Sequence, residues 1–183
     1  MSKHIAITGM TGSGKTLLAR RLAREAKSRS RKVIVYDPTA QNTGPNAAGW
    51  QADYVERDWQ AYKALFWQNK HCLAVIDEAI DVFEKDRAEA TRMMRRGRHI
   101  DAETGGGGHV CCLVGQRWTR LENTARDQCS ILYAFQQSPK DAERLAEDWN
   151  CALLQHVAEL PNLHYLRTDR DGQTARGRVQ IPS

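Results

Sequence analysis

The chain has 183 residues and a net charge of +5 at pH 7, with 41% hydrophobic and 27% charged residues. This length supports one sizeable core, so we expect one domain rather than two. No apolar run approaches the ~20 residues that a membrane span requires, and the opening segment MSKHIAITGM lacks the apolar region of a signal peptide. We therefore expect no transmembrane segment and a cytoplasmic location.

Strand and helix patterns alternate from the start of the chain. The run KHIAIT stops at Gly9 and predicts a buried parallel strand. Residues Lys15 to Ser30 carry leucines on one side and arginines on the other, which predicts an amphipathic helix. One charged helix is expected from about Ile80 to Arg96. The other predicted strands are KVIVYDP, ADYVE, HCLAVIDEA, HVCCLVGQR and CSILYAF, and the other predicted helices are DWQAYKALFWQN and SPKDAERLAEDW.

The tail of the chain contains a turn signal at Asp171 and Gly172. We place the core of the domain at about residues 3–149 and interpret residues 150–183 as a hairpin or an interface arm. Residues 1–183 then form a single domain, because alternating strands and helices predict one α/β unit with a mainly parallel sheet flanked by helices.

The stretch GMTGSGKT lies between the first predicted strand and the first predicted helix. Gly9, Gly14, Lys15 and Thr16 satisfy the pattern G-x-x-x-x-G-K-[ST] in the context that this motif requires. Glycines let successive backbone N–H groups point at phosphate oxygens, and the helix N-terminus adds partial positive charge. We therefore predict a P-loop NTPase of the RecA/ASCE-like class that binds ATP. The predicted nucleotide-binding residues are Gly9, Met10, Thr11, Gly12, Ser13, Gly14, Lys15, Thr16 and Leu17.

Two acids follow the strand LAVI, as in a Walker B motif. Asp77 is predicted to hold Mg²⁺ through water, together with the Thr16 hydroxyl, and Lys15 is predicted to reach the β- and γ-phosphates. Glu78 is predicted to accept a proton from an attacking water, which hydrolysis requires; the alternative is that Glu78 only caps the next helix. Gln116 ends a further strand, where its amide would contact both the γ-phosphate and the attacking water.

Basic residues cluster in the segments RMMRRGRH and GQRWTR. Such clusters are typical of contact with the phosphates of a polyanion, and the alternative is a solvated basic face. Arg92, Arg95, Arg117 and Arg120 are the candidates for such a contact, and the resemblance described next implies that the polyanion is DNA.

The order of the motifs GMTGSGKT, YDP, VIDEA, RRGRH, VGQR and RDQCSILYAF resembles the FtsK/HerA superfamily of ring-forming DNA translocases. Within that superfamily, the compact length is similar to the genome-packaging ATPases of membrane-containing icosahedral double-stranded DNA viruses. The resemblance implies an ATP-hydrolysing motor that moves double-stranded DNA without sequence preference. It also implies a homo-oligomeric ring, a hexamer, with each ATP site at a subunit interface.

The resemblance implies further roles and partners. Gln116 matches the sensor glutamine of the family, and the arginine finger supplied by the adjacent subunit corresponds to Arg98 as first choice and Arg96 as second. The implied partners are double-stranded DNA, further copies of the chain, and vertex or membrane-associated packaging proteins of a virus. The implied location is the host cytoplasm, the packaging vertex of the virion, or both.

The sequence is also compatible with different functions. A small nucleoside kinase of the thymidine-kinase type shares the Walker A motif and an IDEA strand, but such kinases usually carry a four-cysteine zinc site, and this chain has five cysteines without any CxxC spacing. An assembly ATPase of filamentous-phage type is a nearer relative, a plasmid or conjugative ATPase is a further alternative, and a P-loop domain that binds nucleotide without turnover is kept although no residue favours it.

Overall fold

A sheet of eight strands organises the computed structural model, which describes residues 3–100 and 107–181. The strands lie in the order β3-β2-β4-β5-β1-β6-β7-β8. Their bounds are β1 (His4–Thr8), β2 (Lys32–Tyr36), β3 (Tyr54–Glu56), β4 (Cys72–Ile76), β5 (Val110–Gly115), β6 (Cys129–Ala134), β7 (His164–Asp169) and β8 (Thr174–Arg178).

Strands β1 to β6 are parallel, and β7 and β8 extend the sheet in antiparallel pairing. The predicted mainly parallel α/β sheet is therefore confirmed. Because the first six strands point the same way, they all end at one end of the sheet, here called the carboxyl end, and all begin at the other, the amino end. Strand β5 separates β1 from β4, so the residues that follow β1, β5 and β4 are brought side by side at the carboxyl end.

Six helices cover the sheet in the described part of the chain. They are α1 (Lys15–Ser28), α2 (Trp59–Gln68), α3 (Ala79–Lys85), α4 (Arg87–Gly97), α5 (Asn123–Gln128) and α6 (Pro139–Asp148). The expectation of one helix from about Ile80 to Arg96 is wrong, because the chain leaves helical geometry at Asp86 (φ −142°, ψ 58°). The Asp86 carboxylate accepts hydrogen bonds from Trp59 Nε1 at 2.9 Å and Lys63 Nζ at 2.8 Å, which holds the break against α2.

Two apolar layers cover the two faces of the sheet. The larger layer includes Tyr62, Phe66, Met93, Met94 and Leu113 and lies beneath α2, α3, α4 and α6. The smaller layer packs beneath α1 and includes Leu18, Val33, Val75, Val114 and Trp50. Since strand β4 is buried along its whole length, its sequence is continuously apolar rather than alternating.

Two buried histidines tie neighbouring strands to helices at the amino end. His4 Nδ1 accepts a hydrogen bond from the Cys111 N–H at 3.0 Å, so Nε2 carries the proton and donates to Met94 O at 2.9 Å. His109 likewise accepts from the Cys72 N–H at 3.0 Å. Burial lowers the pKa of His4 to about 4 and also lowers that of His109. Both side chains are therefore neutral structural links.

The C-terminal segment returns to the carboxyl end of the sheet. Strands β7 and β8 form a hairpin around Gly172, whose φ of 80° suits glycine. Leu163, directly before β7, donates from its N–H to Ser13 O at 3.2 Å and accepts from the Val179 N–H at 2.9 Å. No helix in the described ranges is long and apolar enough to cross a membrane.

Candidate nucleotide-binding site

The loop between β1 and α1 requires glycine at two positions. A Cβ on Gly9 would lie 2.6 Å from Phe135 Cβ, closer than real side chains approach. Gly14 has a φ of 107° at the start of α1, in the left-handed region that other residues rarely adopt. No side chain caps α1, so the backbone N–H groups of its first turn remain available to an anion.

Two polar side chains of this loop, those of Lys15 and Ser13, are partly or fully buried against its backbone. Lys15 Nζ donates to Met10 O at 2.9 Å, and burial lowers the pKa of Lys15 against the opposing effect of Glu78 and Asp77. The buried Ser13 hydroxyl has no hydrogen-bond partner among the described residues. A cationic amine, open N–H groups and an unsatisfied hydroxyl together form a donor set that fits a chain of phosphates.

The first turn of α1 meets the end of β4. The Thr16 hydroxyl donates to Asp77 Oδ2 at 3.3 Å, and Asp77 Oδ1 accepts from the Glu78 N–H at 3.0 Å. Burial, together with the nearby carboxylates of Asp37 and Glu78, raises the pKa of Asp77 to about 6. A cation placed here would favour the ionised form of Asp77.

The oxygens of Thr16 and Asp77 fit a Mg²⁺ ion that is shared with phosphates and waters better than a metal ion held by protein side chains alone. Mg²⁺ is usually held by one or two carboxylates together with substrate phosphates and waters. Thr16 and Asp77 supply such a partial set. No group of three His, Cys, Asp or Glu side chains that could hold a metal ion occurs in residues 3–100 and 107–181.

Glu78 has an unusual backbone conformation. Its φ of 52° and ψ of 45° are left-handed, which costs a non-glycine residue on the order of 1–3 kcal/mol. Glu78 occupies the position before α3, but its side chain caps no N–H group of that helix. The alternative role of a helix-capping acid is therefore not what its carboxylate does, and the strained backbone aims a half-exposed carboxylate beside Asp77.

Asp37 is a site residue that the sequence analysis missed. It directly follows β2, next to β4, and is 4% exposed. Its carboxylate accepts from Trp50 Nε1 at 2.9 Å and from the Thr39 hydroxyl at 2.7 Å. The signal for it was present in YDP, an apolar strand ending in an acid, because all parallel strands end at the same end of the sheet.

Two glutamines flank the loop from the neighbouring strands. Gln116 is exposed directly after β5, between the Walker A and Walker B residues, which is where a sensor amide is expected. Gln137, which the sequence analysis did not single out, is 2% exposed after β6 and donates from Nε2 to Thr8 Oγ1 at 2.9 Å. Gln137 supports the end of β1, whereas Gln116 is free to contact a ligand.

The candidate arginine fingers lie away from this site. Met94 O bonds to His4 at the start of β1, and Gly97 O accepts from the His109 N–H at 2.9 Å, so the end of α4 sits at the amino end of the sheet. Arg96 and Arg98 are there, whereas the phosphate loop is at the carboxyl end. Strand β1 alone separates the two ends by roughly 13 Å, so neither arginine serves its own site.

The four DNA-contact candidates fall into two pairs: two that contact other side chains and two that do not within the described ranges. Arg92 lies over the Trp67 ring at 4.6 Å and pairs with Glu89, and Arg120 pairs with Glu84 at 2.8 Å. Arg95 and Arg117 are exposed and have no side-chain hydrogen bond or ion pair within the described ranges.

An open cavity of about 1040 Å³ lies along α1, beginning at Leu17, the residue after the phosphate loop. Leu17, Arg21 and Arg24 line it on one side, and Leu163 and the segment 178–181 line it on the other. Its volume is large enough for a nucleoside.

Together, the sheet order and this loop define the class of the protein. The fold is the predicted P-loop NTPase fold of the RecA/ASCE-like class. It has six parallel strands and flanking helices, and one strand lies between the strands that carry the Walker A and Walker B motifs. The family DUF87, described as the central domain of helicase HerA, matches residues 1–41. None of the curated proteins matches the sequence.

Solved structures extend the similarity to the whole chain. The genome-packaging NTPase B204 from Sulfolobus turreted icosahedral virus 2, in complex with sulfate, matches with a TM-score of 0.77 at 19% identity over 100% of this chain and 98% of that chain. Its complex with AMPPCP matches with a TM-score of 0.75 at 17% identity over 97% of each chain. The pCW3 conjugation coupling protein TcpA matches with a TM-score of 0.70 at 15% identity over 97% of this chain and 60% of that chain. At identities below 20%, these similarities show the fold, which is the one expected from the suspected FtsK/HerA-type class.

Proposed function

We propose that this protein is an ATP-hydrolysing motor that moves double-stranded DNA, and that it packages a viral genome. The observation that carries the ATPase part is the contact of the Walker A threonine with the Walker B aspartate, beside a strained Glu78. The DNA part rests on the similarity of fold and length to B204, a genome-packaging NTPase, and on the resemblance of the motifs.

In the proposed reaction, the chain's own residues hold and orient the nucleotide. Backbone N–H groups of residues 9–16 and the Lys15 amine bind the phosphates, and the cavity along α1 receives the nucleoside. Thr16 and Asp77 hold Mg²⁺, which neutralises charge on the phosphates when bound. Glu78 accepts the proton of the attacking water, and Gln116 orients that water against the γ-phosphate.

We further propose that copies of the chain assemble into a hexameric ring. No arginine of the described α4 end reaches its own phosphate loop, so Arg98, or Arg96 in second place, would act on the site of the adjacent subunit. The ring would contact vertex or membrane-associated packaging proteins of the virus, and would act in the host cytoplasm or at the packaging vertex.

A second candidate is a motor for conjugative DNA transfer, which the similarity to TcpA favours. It uses the same ATP chemistry and differs in what the ring is attached to. For a nucleoside kinase or a filamentous-phage assembly ATPase, no contact among the described residues of the site gives separate support.

The decisive experiment is ATP hydrolysis by the purified protein with and without long duplex DNA, at several salt concentrations, with thymidine as a competing phosphate acceptor. The proposal expects turnover that DNA stimulates and that salt suppresses. Turnover that requires thymidine would replace the motor by a kinase. Nucleotide binding without turnover under any condition would leave only a nucleotide-dependent assembly protein.

A further inference from the structure

Cations without acidic partners collect at the amino end of the sheet, opposite the nucleotide site. We propose that this surface holds the phosphate backbone of duplex DNA, an inference that rests on the DNA part of the proposed function. The amino-end basic surface consists of Arg29, Arg31, Lys32 and Arg95; Arg96 lies beside them and remains the second-choice arginine finger.

Two segments on opposite faces of the sheet supply this surface. Arg29 follows the last residue of α1, and Lys32 is the first residue of β2. Arg95 and Arg96 lie in the last turn of α4, which the bond from the His109 N–H to Gly97 O holds against the start of β5. The cations therefore border the ends of β2, β4 and β5 from both sides.

The charge of this surface is not neutralised within the described residues. Lys32 donates to the neutral amide of Asn69 at 2.7 Å, and Arg31 donates to the carbonyls of Cys72 and Gly108. Arg29, Arg95 and Arg96 are exposed and make no side-chain hydrogen bond or ion pair there.

Two neighbouring acids among the described residues are already engaged. Asp53 pairs with Lys27 at 2.9 Å, and Glu89 pairs with Arg92. The surface therefore keeps a net positive potential that a polyanion can neutralise.

The opposite end of the sheet is unsuited to DNA because it is acidic. Asp37, Asp77 and Glu78 end or follow the parallel strands there, and Glu56, Asp58 and Asp81 lie beside them. Of the two basic candidates at that end, Arg120 is paired with Glu84, and Arg117 alone is exposed without a partner among the described residues. Phosphates other than those on the loop would be repelled, so the distribution of charge favours the amino end.

The chemistry of this surface suits a motor that ignores sequence. Guanidinium and ammonium groups bind phosphate oxygens, and contacts to the backbone carry no base information. An open depression of about 280 Å³ on one side of α4, lined by Ala88, Thr91, Arg92, Arg95 and Arg96, leaves Arg95 accessible to a phosphate. DNA and nucleotide would then be bound at opposite ends of the same strands.

The test compares charge reversals at three places, using the full chain. The double variants are Arg29→Glu with Lys32→Glu at the amino end, Arg117→Glu with Arg120→Glu at the carboxyl end, and Lys140→Glu with Arg176→Glu as a control of equal charge change on exposed residues elsewhere. Arg95→Glu is added as a single variant on the other face. Fluorescence anisotropy of a labelled duplex measures affinity against salt, and a fluorescent ATP analogue checks that the nucleotide site is intact.

We expect the Arg29 and Lys32 variant to lose at least about tenfold in affinity at low salt, and the slope of log affinity against log salt to fall by about one for each contact removed. Arg95→Glu should act in the same direction, with nucleotide binding kept in both. An equal loss in the control variant, or a loss confined to the Arg117 and Arg120 variant, would overturn the assignment.

Three further outcomes separate this inference from its premises. Vesicles of phosphatidylglycerol and phosphatidylcholine are tested in parallel, and amino-end variants that lose vesicle binding while keeping DNA binding would make the surface a membrane contact instead. If the unmodified protein binds nucleotide but no duplex, the DNA motor itself fails. If it binds duplex through another surface, only the assignment to the amino-end basic surface fails.

Discussion

The Thr16 hydroxyl donates a hydrogen bond to the Asp77 carboxylate at 3.3 Å, although 61 residues separate the two in the chain. The contact exists because β1 and β4 are parallel and only β5 lies between them, so the start of α1 and the end of β4 meet at one end of the sheet. It joins the two motifs on which the proposed ATPase depends, and the residues around it can be tested separately.

Glu78→Gln should keep ATP binding and lower turnover by roughly 10²- to 10⁴-fold, the usual contribution of a general base. Asp81→Asn is a matched control, because Asp81 is an exposed acid in the first turn of the same helix. Steady-state hydrolysis and binding of an ATP analogue are the two measurements. Undiminished turnover in Glu78→Gln would remove Glu78 from the role of base.

Asp77→Asn should separate stability from activity. Burial beside Asp37 and Glu78 raises the pKa of Asp77, so its ionised form is unfavourable in the fold unless a cation is near. Removing that charge should raise the free energy of unfolding in chelator at pH 7.5 and abolish the additional stabilisation by Mg²⁺ with ATP. Denaturant titrations under both conditions check this, and a variant less stable than the parent in chelator would contradict it.

Arg98→Ala should abolish turnover without weakening nucleotide binding, because Arg98 lies at the far end of the sheet from its own phosphate loop. Mixing Arg98→Ala with Lys15→Ala subunits should restore part of the activity, since some mixed interfaces then combine an intact loop with an intact arginine. Arg96→Ala, mixed in the same way, tests the second choice. If neither mixture recovers activity, a finger supplied in trans from this segment is ruled out.

The contribution of His4 to stability should fall as the pH drops below about 6.5. Asp77, whose pKa in the fold is raised to about 6, acts in the opposite direction, so the two are separated by comparing the parent with His4→Gln. The pKa of His4 is about 4 in the fold against 6.5 in the unfolded chain, because burial disfavours the charged ring. The unfolded chain therefore binds more protons at His4 between these values, and up to about 3 kcal/mol of the contribution of His4 should be lost on going from pH 7 to pH 4. Urea titrations across this range measure it, and His4→Gln should flatten the dependence. An equally steep dependence in that variant would assign the effect to other groups.

Trp50→Phe tests how far the hydrogen bond from Trp50 stabilises the buried carboxylate of Asp37. It removes the Nε1 donor to Asp37 at 2.9 Å while keeping an aromatic ring in the smaller apolar layer. A buried carboxylate that loses a donor should cost about 1–3 kcal/mol of stability. Trp59→Phe, which removes a donor to the more exposed Asp86, is the control and should cost less. Equal losses would argue against a special role for the Asp37 contact.

The strands of the parallel sheet and the phosphate loop could be predicted from the sequence because both depend on local patterns. Runs such as CLAVI are apolar because helices cover both faces of the sheet. Glycines mark the phosphate loop because its backbone adopts conformations and close contacts that other residues do not allow. The break at Asp86 could not be predicted, because it depends on Trp59 and Lys63 of another helix. The placement of Arg96 and Arg98 opposite the phosphate loop also depends on tertiary contacts, namely those of α4 with His4 and His109.

The two outer strands of the sheet are β3 and β8. Strand β3 has only three residues, and β8 carries Arg176 and Arg178 on an exposed strand. Short or charged outer strands discourage pairing with the strands of other molecules. In the proposed ring, copies of the chain could thus associate through side-chain surfaces, which close into a finite assembly, without the sheet growing into an open-ended aggregate.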